Sequence, residues 1–482
     1  MTFYRRWMFR AVFAIFLAAL SVSFSTWAQG PPTGSAGSAE ASQPAYPLKV
    51  SANHRYLVDA KGVPFLMVGD TPQGLMGNVS EKEAELYFAD REAHGFNTLN
   101  WIDVENAGTE QGWDRFSRTF DGMRPFTEFL PGGTDYKSYD LSKPNEEYFV
   151  RLDHLVELAT KHHLFVFLDP IDTIPWLETL RHNGPKAAYA YGQYLGNRYK
   201  SYQNIAWLNG NDFNLWTVPS DDTLVQAVSK GIRSVAPDQL QTVELHVRTS
   251  SSFDDPRWIP LIELNSTYTY SPTYMQMLYS YNQKPIAPTY LLEAHYELED
   301  VGTPKDYGTP YILRKQEYWT MLTGGAGQIY GNAYLWTMKD GWQRHLDTPG
   351  VAQIKYWKDF FLSIPWQDLV PDEDHSVLTA GAGSFGDFDT RVSESDYATA
   401  ARTPDGSTVV VYIPTARTIT VNMAKLGGTA RARWFDPSNG TYQSASGGPI
   451  ASGGSHQFTT PGKNNDGDGD WVLLLQVSKP VH

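Results

Sequence analysis

Short apolar segments and helical segments alternate along most of the chain, and this alternation limits the possible fold more than any other feature. Eight segments have the length and apolar content of buried strands, at 65–68, 96–101, 164–168, 205–208, 243–247, 261–264, 287–292 and 328–330. Seven helical segments lie between or after them, at 81–93, 145–163, 176–199, 223–235, 274–281, 311–322 and 351–362. Such alternation is typical of parallel sheets. Eight units predict a (β/α)8 TIM barrel over residues 48–368.

A doubly wound sheet is the other architecture that this alternation allows. No glycine-rich phosphate loop follows the first strand, whose exit reads Gly69-Asp70-Thr71-Pro72, and this favours the barrel. After about residue 370 the helical periodicity ends, and strand-like runs separated by turn residues follow at 407–413, 418–423, 430–435 and 471–477. They predict a small antiparallel β-sandwich over residues 369–482.

The first 28 residues have the pattern of a secretory signal peptide. Three arginines precede an apolar run at 11–24, and Thr26 and Ala28 are the small residues of a cleavage site. The run is shorter than the ~20 residues of a membrane-spanning helix, so we expect cleavage rather than an anchor. Residues 29–47 are rich in Gly, Ser, Ala and Pro and predict a disordered linker. The mature protein is therefore expected to be secreted or periplasmic, with no membrane attachment.

Composition and motifs exclude several kinds of chemistry. The chain has no cysteine, which rules out disulfides, thiolate metal sites and a cysteine nucleophile. Its formal net charge of -14 argues against a nucleic-acid partner, because binding to phosphates depends on Lys and Arg. The acidic turn at 466–470 resembles the start of a calcium loop, but Trp471 stands where that loop needs glycine. The sequence thus predicts no metal and no cofactor, and carboxylate chemistry becomes the leading option.

Two carboxylates follow predicted strands at the mouth of this barrel. Asp212 comes after the fourth strand and Glu293 after the seventh. TIM-barrel active sites lie at the carboxyl ends of the strands, and hydrolysis of a glycosidic bond needs one protonated and one ionised carboxyl group. We predict that Asp212 is the acid/base, its pKa raised by apolar surroundings, and that hydrogen bonds keep Glu293 ionised. Capping of the following helix is the alternative role for either residue.

Other residues at or just past the predicted strand ends are candidates for substrate binding: Asp70, Trp101, Asp103, Asp169, Asn211, His246, Tyr268 and Trp336. Polar side chains would bind sugar hydroxyls, and aromatic ones would stack on sugar rings. Asn211 would donate to a hydroxyl beside the anomeric carbon, and Tyr268 would hydrogen-bond Glu293. A capping or core role is the alternative for each. Glu297 is a rival nucleophile, but it falls in the loop or helix that follows, so we place Glu293 ahead.

The connection after the second strand, at about 104–144, is unusually long. Long connections in compact domains are often functional, and this one is rich in aromatic residues: Trp113, Phe116, Phe120, Phe126, Phe129, Tyr136 and Tyr139. We predict that it walls one side of the cleft. For most of these aromatics a local core that holds the loop in place is the favoured alternative.

Several ordered segments resemble the apiosidase-like glycoside hydrolases (family 140). They are Val68-Gly69-Asp70-Thr71, His94-Gly95-Phe96-Asn97-Thr98, Pro144-Asn145-Glu146-Glu147-Tyr148-Phe149, Gly210-Asn211-Asp212, Glu293-Ala294-His295-Tyr296-Glu297, and Gly324-Gly325-Ala326-Gly327-Gln328-Ile329-Tyr330-Gly331-Asn332 with Trp336. The resemblance covers about 48–365 and implies a barrel enzyme in which Asp212 is the acid/base and Glu293 the nucleophile. Pro72-Gln73 and Gln328 depart from the family pattern near the expected sugar subsites, so the resemblance leaves the sugar open.

The tail at 376–477 resembles the collagen-binding-type β domain that often follows this barrel. Trp434-Phe435-Asp436-Pro437 and Asp470-Trp471-Val472-Leu473-Leu474 carry this resemblance. We expect a plainer role, in which the domain packs against the barrel and covers its apolar flank.

The whole sequence predicts a secreted enzyme that hydrolyses O-glycosidic bonds in plant-type or microbial carbohydrate by a retaining, two-carboxylate mechanism. The alternative is a non-catalytic carbohydrate- or matrix-binding protein on a degenerate barrel.

Overall fold

The computed structural model describes residues 43–104, 117–246, 248–302, 305–338 and 340–477. The predicted signal peptide, the linker up to residue 42, the loop aromatics Trp113 and Phe116, and the side chain of Trp101 lie outside the described residues. Within the ranges given above, no helix is long and apolar enough to cross a membrane.

Eight parallel strands form a barrel sheet, which confirms the predicted fold class. They are β1 (Met67–Asp70), β2 (Thr98–Asp103), β3 (Phe165–Asp169), β4 (Ile205–Phe213), β5 (Gln241–Leu245), β6 (Asn265–Thr269), β7 (Thr289–Glu293) and β8 (Gly327–Tyr330). Parallel ladders join β1 to β5 in chain order, and others join β6 to β7, β7 to β8, and β8 back to β1. A ninth strand, Thr249–Ser251, runs antiparallel along β6.

Side-chain hydroxyls, rather than a backbone ladder, bridge β5 and β6. The hydroxyls of Ser252 and Ser266 both donate to the carbonyl of Val243, at 2.7 and 3.1 Å. The hydroxyl of Thr242 donates to the carbonyl of Leu264 at 3.1 Å. These bonds satisfy backbone groups that an open sheet edge would leave unpaired, so the barrel is nearly closed.

Seven longer helices surround the barrel in the described part of the chain. They are α1 (Glu81–Ala93), α2 (Glu146–Lys161), α3 (Thr173–Tyr199), α4 (Pro219–Val235), α5 (Thr273–Asn282), α6 (Pro310–Leu322) and α7 (Pro349–Leu362). A short helix, Leu75–Asn78, precedes α1, and a 3-10 turn, Ser252–Asp254, stands where a helix between β5 and β6 would lie. Ser80 and Glu83 form a capping box that starts α1. A kink interrupts α3 at Gly184, whose φ is 77°.

The two ends of the chain add antiparallel sheets. A small sheet of Lys49–Val50, Leu57–Val58 and Pro64–Phe65 precedes the barrel, and its Leu57 and Phe65 join the buried cluster that includes Phe167 and Leu208 of the barrel interior. After the barrel comes a six-stranded sheet, in the order Val370–Pro371, Thr399–Arg402, Thr408–Ile413, Trp471–Val477, Ala430–Asp436 and Thr441–Ser444. A three-stranded sheet faces it, in the order Leu378–Ala380, Thr418–Asn422 and Ser455–Thr459. The two C-terminal sheets share one apolar core, as expected for a β-sandwich.

The outer face of the six-stranded sheet packs on the barrel. Val410, Tyr412 and Leu474 of this sheet lie in one buried cluster with Trp319 of α6 and Phe360 of α7. The C-terminal domain therefore covers an apolar flank of the barrel. Burial of large aromatic side chains from both sides ties the two domains together.

Candidate active site

Three carboxyl groups meet at the carboxyl ends of the barrel strands. Asp212 lies near the end of β4, Glu244 in β5 and Glu293 at the end of β7. One oxygen of Glu244 accepts the backbone N–H of Asp212 at 3.0 Å. Charge repulsion from Glu293 and Asp212 adds to the burial that raises the pKa of Glu244. The structure thus brings the two predicted catalytic residues together and adds a third carboxyl.

A bulge in β4 gives Asp212 its position. The ladder pairs Asn209 with Val243 and Phe213 with Leu245, so β4 has more residues than β5 between the same two pairs. Gly210 and Asp212 both have positive φ, 71° and 47°. Bulges are common beside active sites because they redirect a side chain out of the strand's alternation. Here the bulge places the carboxyl of Asp212 at the barrel mouth.

The carboxyl of Asp212 is partly exposed and stands beside an imidazole. Its side chain is 29% exposed, and its Oδ1 lies 3.7 Å from Nδ1 of His246. Burial raises the pKa of Asp212, and the imidazole of His246 opposes part of that rise. A raised pKa favours a carboxyl that can donate a proton near neutral pH. This is the environment predicted for the acid/base.

Glu293 is buried at the end of β7 and is 8% exposed. The hydroxyl of Tyr270 donates to its Oε1 at 2.7 Å. The donor is therefore Tyr270 and not the predicted Tyr268, which instead packs edge-on against His246 and Tyr270. Burial, together with repulsion from Asp212, raises the pKa of Glu293 well above its usual range, although the hydroxyl of Tyr270 opposes the rise. The prediction that hydrogen bonds keep the pKa of Glu293 low is therefore wrong, because burial and the repulsion from Asp212 outweigh the bonds from Tyr270 and Tyr296.

Burial and charge repulsion raise the pKa of Glu244 as they raise that of Glu293. Glu244 is 1% exposed, and its pKa is raised well above the usual range by burial first and then by Glu293 and Asp212. A proton on Glu244 removes one negative charge from the cluster. Because like charges at short range disfavour each other, a neutral Glu244 makes it easier for Glu293 to ionise.

Asp169 and Asn211 lie next to this cluster. Oδ1 of Asp169 accepts the N–H of Ile171 at 3.0 Å, and the N–H groups of Gly210 and Asn211 also lower its pKa. Burial outweighs these bonds and raises the pKa of Asp169 to about 8. Among the described residues, the side-chain amide nitrogen of Asn211 has no partner. Two of the predicted binding residues therefore border the acid/base.

Other predicted binding residues have different surroundings. Asp70 is fully buried, where its carboxylate pairs with Arg91 at 3.0 Å and accepts from the hydroxyl of Tyr87 at 2.6 Å. These contacts hold β1 against α1, so the structure does not bring Asp70 to the carboxyl cluster. Asp103 is buried and paired in register with Asp169. Trp336 packs against the buried cluster of the barrel interior.

Several buried polar groups on the barrel strands lack a partner within the described ranges. They include both side-chain amide atoms of Asn100 and Gln328, Oδ2 of Asp169, the amide nitrogen of Asn211 and the indole nitrogen of Trp336. Buried polar groups in folded proteins are nearly always hydrogen-bonded. These unpaired groups lie on β2, β3, β4 and β8 and in the segment after β8, which are the elements around the carboxyl ends of the barrel strands.

Glu297, the alternative nucleophile, has a structural role, because hydrogen bonds from the protein engage its carboxylate. Its carboxylate accepts from the hydroxyls of Tyr330 and Thr348, and the N–H of Gly350 donates to its Oε1 at 2.9 Å. Gly350 lies in the first turn of α7, so Glu297 anchors that helix. Both of its oxygens are engaged, and this favours Glu293 as the carboxylate that meets a substrate.

The described part of the long connection after β2 forms a local core. Phe126 and Tyr139 are fully buried, and Tyr139 stacks on Trp176 of α3 with the ring planes 13° apart. Tyr139 also stacks on Phe129, with the ring centroids 4.8 Å apart. For these aromatics the alternative of a local core fits the structure better than a cleft wall.

One group in the described ranges has the spacing of a metal site. Possible ligand atoms of Asp90, His94 and Asp347 lie within 4.8 Å of one another. The imidazole of His94 already bridges the two carboxylates, at 3.3 Å from Asp90 and 3.0 Å from Asp347. The contacts of this imidazole with the two carboxylates explain the group, and none of the carboxyls at the barrel mouth belongs to it.

Two sequence-family models match the chain. A model of an apiosidase-like catalytic domain matches residues 51–368, and a model named for a collagen-binding domain of a collagenase matches residues 388–476. No curated protein sequence matches at a significant level.

Solved structures that are similar over most of the chain include glycoside hydrolases. One described simply as a glycoside hydrolase is 23% identical, with a TM-score of 0.74 over 90% of this chain and 97% of its own. A family 5 glycoside hydrolase from Bacteroides vulgatus is 21% identical, with a TM-score of 0.73 over 89% of this chain and 93% of its own. At these identities the likeness establishes the fold. Because the first family model spans the barrel and most of the chain, the chain belongs to the apiosidase-like family, and its barrel is a glycoside hydrolase catalytic domain.

Proposed function

We propose that the protein is a secreted, retaining glycosidase in which Asp212 is the acid/base and Glu293 the nucleophile. The observation that carries the proposal is the pair of carboxyls on β4 and β7 beside unpaired polar groups. Retaining glycosidases place their carboxyls close enough for one to attack the anomeric carbon while the other serves the leaving group. The repulsion that Asp212 exerts on Glu293 supports such proximity.

The reaction would take place in two displacements. In the first, the carboxylate of Glu293 attacks the anomeric carbon, the glycosidic C–O bond breaks, and Asp212 gives its proton to the departing oxygen. In the second, Asp212 takes a proton from water, the water oxygen attacks the anomeric carbon, and Glu293 leaves as a carboxylate. Tyr270 donates to Glu293 in the free enzyme and would stabilise its charge between turnovers.

The substrate would be a neutral or weakly charged carbohydrate of plant or microbial origin. The name of the family makes a terminal apiose residue the first sugar to test. Pro72-Gln73 and Gln328 depart from the family pattern, and Gln328 is one of the buried groups without a partner. A related pentose such as arabinose is therefore the second sugar to test.

The test is hydrolysis of a panel of aryl glycosides and of pectic or arabinose-containing oligosaccharides. Wild type should release sugar, while Asp212→Ala and Glu293→Ala should each lose about 10³-fold or more in kcat/KM on a substrate with a poor leaving group. Thermal unfolding of each variant checks that the fold is retained. Activity that survives both substitutions would contradict the assignment, and binding without turnover by wild type would favour a carbohydrate-binding protein.

Azide separates the roles of the two carboxyls. With an activated aryl glycoside, azide should rescue Glu293→Ala and give a glycosyl azide of inverted anomeric configuration, because azide replaces the missing nucleophile. With Asp212→Ala, azide should instead give a product of retained configuration, because it attacks the glycosyl-enzyme intermediate. The opposite assignment of configurations would exchange the two roles.

A further inference from the structure

Glu244 is a buried acidic residue that the two-carboxylate reaction does not use. It lies in β5 between Val243 and Leu245, whose partners in β4 are Asn209 and Phe213. The bulged residues of β4 therefore lie opposite Glu244. This juxtaposition places its carboxyl beside the segment that carries the acid/base.

The carboxyl of Glu244 takes the place of a backbone carbonyl as hydrogen-bond acceptor for the bulged segment of β4. Its Oε2 accepts the backbone N–H of Asp212 at 3.0 Å. Within a regular ladder a backbone carbonyl would accept from such an N–H, but the bulge shifts Asp212 out of register. A side-chain oxygen takes over, and the N–H of Asp212 is not left unpaired in the protein interior.

The same bond holds an unfavourable backbone conformation. Asp212 has a φ of 47°, in the left-handed region that residues other than glycine seldom adopt. Such conformations persist where the surrounding structure fixes them, and they occur often at active sites. The oxygen of Glu244 is one of the contacts that can fix this one.

We infer that Glu244 is a positioning residue, which holds the backbone of Asp212 so that its carboxyl reaches the leaving-group oxygen of the substrate. The inference rests on the proposed function, because it assigns the role of acid/base to Asp212. Glu244 itself touches no reacting atom in this scheme. Its effect is therefore on the efficiency of proton donation, not on the attack of Glu293.

The neutral form of Glu244 suffices for this role. Burial and the repulsion from Glu293 and Asp212 raise its pKa, which favours the protonated form, and a protonated carboxyl still has a carbonyl oxygen that accepts an N–H. Its other oxygen, Oε1, has no partner among the described residues. Glutamine is a neutral side chain of the same length with an oxygen that can accept. Glu244→Gln should thus preserve the role, and Glu244→Ala should abolish it.

The first experiment compares leaving groups. Wild type, Glu244→Ala and Glu244→Gln are assayed on a phenyl glycoside and a 2,4-dinitrophenyl glycoside of the sugar that wild type hydrolyses best. The phenolate of the first needs a proton to depart, and the dinitrophenolate does not. Because kcat/KM reports the step in which the glycosidic bond breaks, Glu244→Ala should lose about 30-fold or more on the phenyl substrate and less than about threefold on the other.

A matched control and a rescue accompany this comparison. Thr242→Val removes a buried polar group from the same strand, where the hydroxyl of Thr242 donates to the carbonyl of Leu264. Thr242→Val should lower kcat/KM by the same factor on both substrates or leave it unchanged. For Glu244→Gln, kcat/KM should stay within about threefold of the wild-type value on both substrates. Equal losses on the two substrates for Glu244→Ala, or a loss for Glu244→Gln as large as for Glu244→Ala, would overturn the inference.

The second experiment does not depend on catalysis. Hydrogen–deuterium exchange, resolved at the amide of Asp212, should be at least about tenfold faster in Glu244→Ala than in wild type, and unchanged in Glu244→Gln and Thr242→Val. If wild type hydrolysed no glycoside, the proposed function would fail, and this measurement alone would decide whether Glu244 holds Asp212. Unchanged exchange in Glu244→Ala would overturn the positioning role whatever the activity.

Discussion

At the scale of single residues, tyrosine hydroxyls shape the environment of Glu293, and Tyr270 contributes more than Tyr296. Tyr270 donates to Glu293 at 2.7 Å, and this bond lowers the pKa of a carboxyl that burial otherwise raises. The backbone of the same tyrosine has a further contact, because its carbonyl oxygen lies 2.9 Å from Nε2 of His295. This contact holds the backbone of Tyr270 in the absence of a substrate.

Tyr270→Phe tests this dependence. Without the hydroxyl, the pKa of Glu293 should rise further, and since Glu293 must be ionised to attack, the acidic limb of the kcat/KM profile should move to higher pH. Hydrogen bonds to charged groups contribute about 1.5–3 kcal/mol, so kcat/KM near the acidic limb should fall roughly tenfold. The measurement is the pH profile of kcat/KM on an aryl glycoside.

Tyr268→Phe is the matched control for that experiment. Tyr268 lies two residues earlier in the chain and is the partner of Glu293 in the ladder between β6 and β7. Its substitution should leave the acidic limb in place, whatever it does to substrate affinity. A shift of the limb in Tyr268→Phe but not in Tyr270→Phe would restore the original prediction from the sequence.

The sequence located this site to within two residues and could go no further. Both tyrosines come after the strand predicted at 261–264, and the sequence alone does not tell which of the two donates to Glu293. The ladder is irregular between Thr267 and Tyr268, which moves the following residues relative to β7. A register shift of this kind depends on tertiary pairing and leaves no local signal.

At the scale of strands and helices, the alternation of apolar and helical segments predicted the barrel, but the sixth strand was displaced. It was expected at 261–264 and lies at Asn265–Thr269. Asn265 and Ser266 are polar, and polar residues of this kind are typical of turns. Both are buried here because neighbouring groups form hydrogen bonds with them; for example, Nδ2 of Asn265 donates to the carbonyl of Ser280. A strand buried through hydrogen bonds is not recognisable by its apolar content.

Glu244 went unnoticed at the sequence level for a related reason. It lies near the start of a segment, 243–247, that the pattern assigned to a strand, whereas the site candidates, such as His246, lie at or just past the strand ends. A carboxyl within an otherwise apolar strand was the available signal, because charged residues are seldom fully buried without a role.

The contact between α3 and α4 depends on glycines. A Cβ added to Gly192 would lie 2.1 Å from the carbonyl oxygen of Val228, and one added to Gly231 would lie 2.1 Å from that of Tyr189. Neither position leaves room for a methyl group unless the helices separate. Gly231→Ala should therefore destabilise the protein by about 1–3 kcal/mol, as measured by urea unfolding.

A glycine outside any such contact serves as the control. A Cβ at Gly447 would meet nothing within 4 Å, and Gly447→Ala should change the free energy of unfolding by less than about 0.5 kcal/mol. If both substitutions cost the same small amount, the two helices tolerate separation and the close contact does not limit stability.

At the scale of the whole molecule, one buried cation joins the barrel to the C-terminal domain. Arg314 of α6 is 1% exposed and pairs with Asp470 at 2.9 Å and Asp468 at 2.6 Å. A third pair, with Asp466, measures 3.3 Å. The acidic turn that resembled part of a calcium loop thus binds a guanidinium group, and the three carboxylates have a common partner.

Arg314→Ala should affect both domains at once. Asp470 is fully buried, and the substitution removes the guanidinium that is hydrogen-bonded to both of its oxygens, which costs about 3–5 kcal/mol in comparable cases. Since the cluster of Tyr412, Trp319 and Phe360 spans the same interface, we expect the barrel and the β-sandwich to unfold in one transition, shifted to lower urea in the variant. Tryptophan fluorescence and far-ultraviolet circular dichroism should report coincident midpoints.

Two further variants decide whether the buried charge is the cause. Asp470→Asn in the Arg314→Ala background removes the unpaired charge and should recover part of the lost stability, because an amide is cheaper to bury than a carboxylate. Lys355→Ala breaks an exposed pair with Asp359 on α7 and should cost less than about 1 kcal/mol. Two separate transitions in wild type, with a barrel that stays folded after the β-sandwich has melted, would show that the domains are independent and that Arg314 stabilises only its own surroundings.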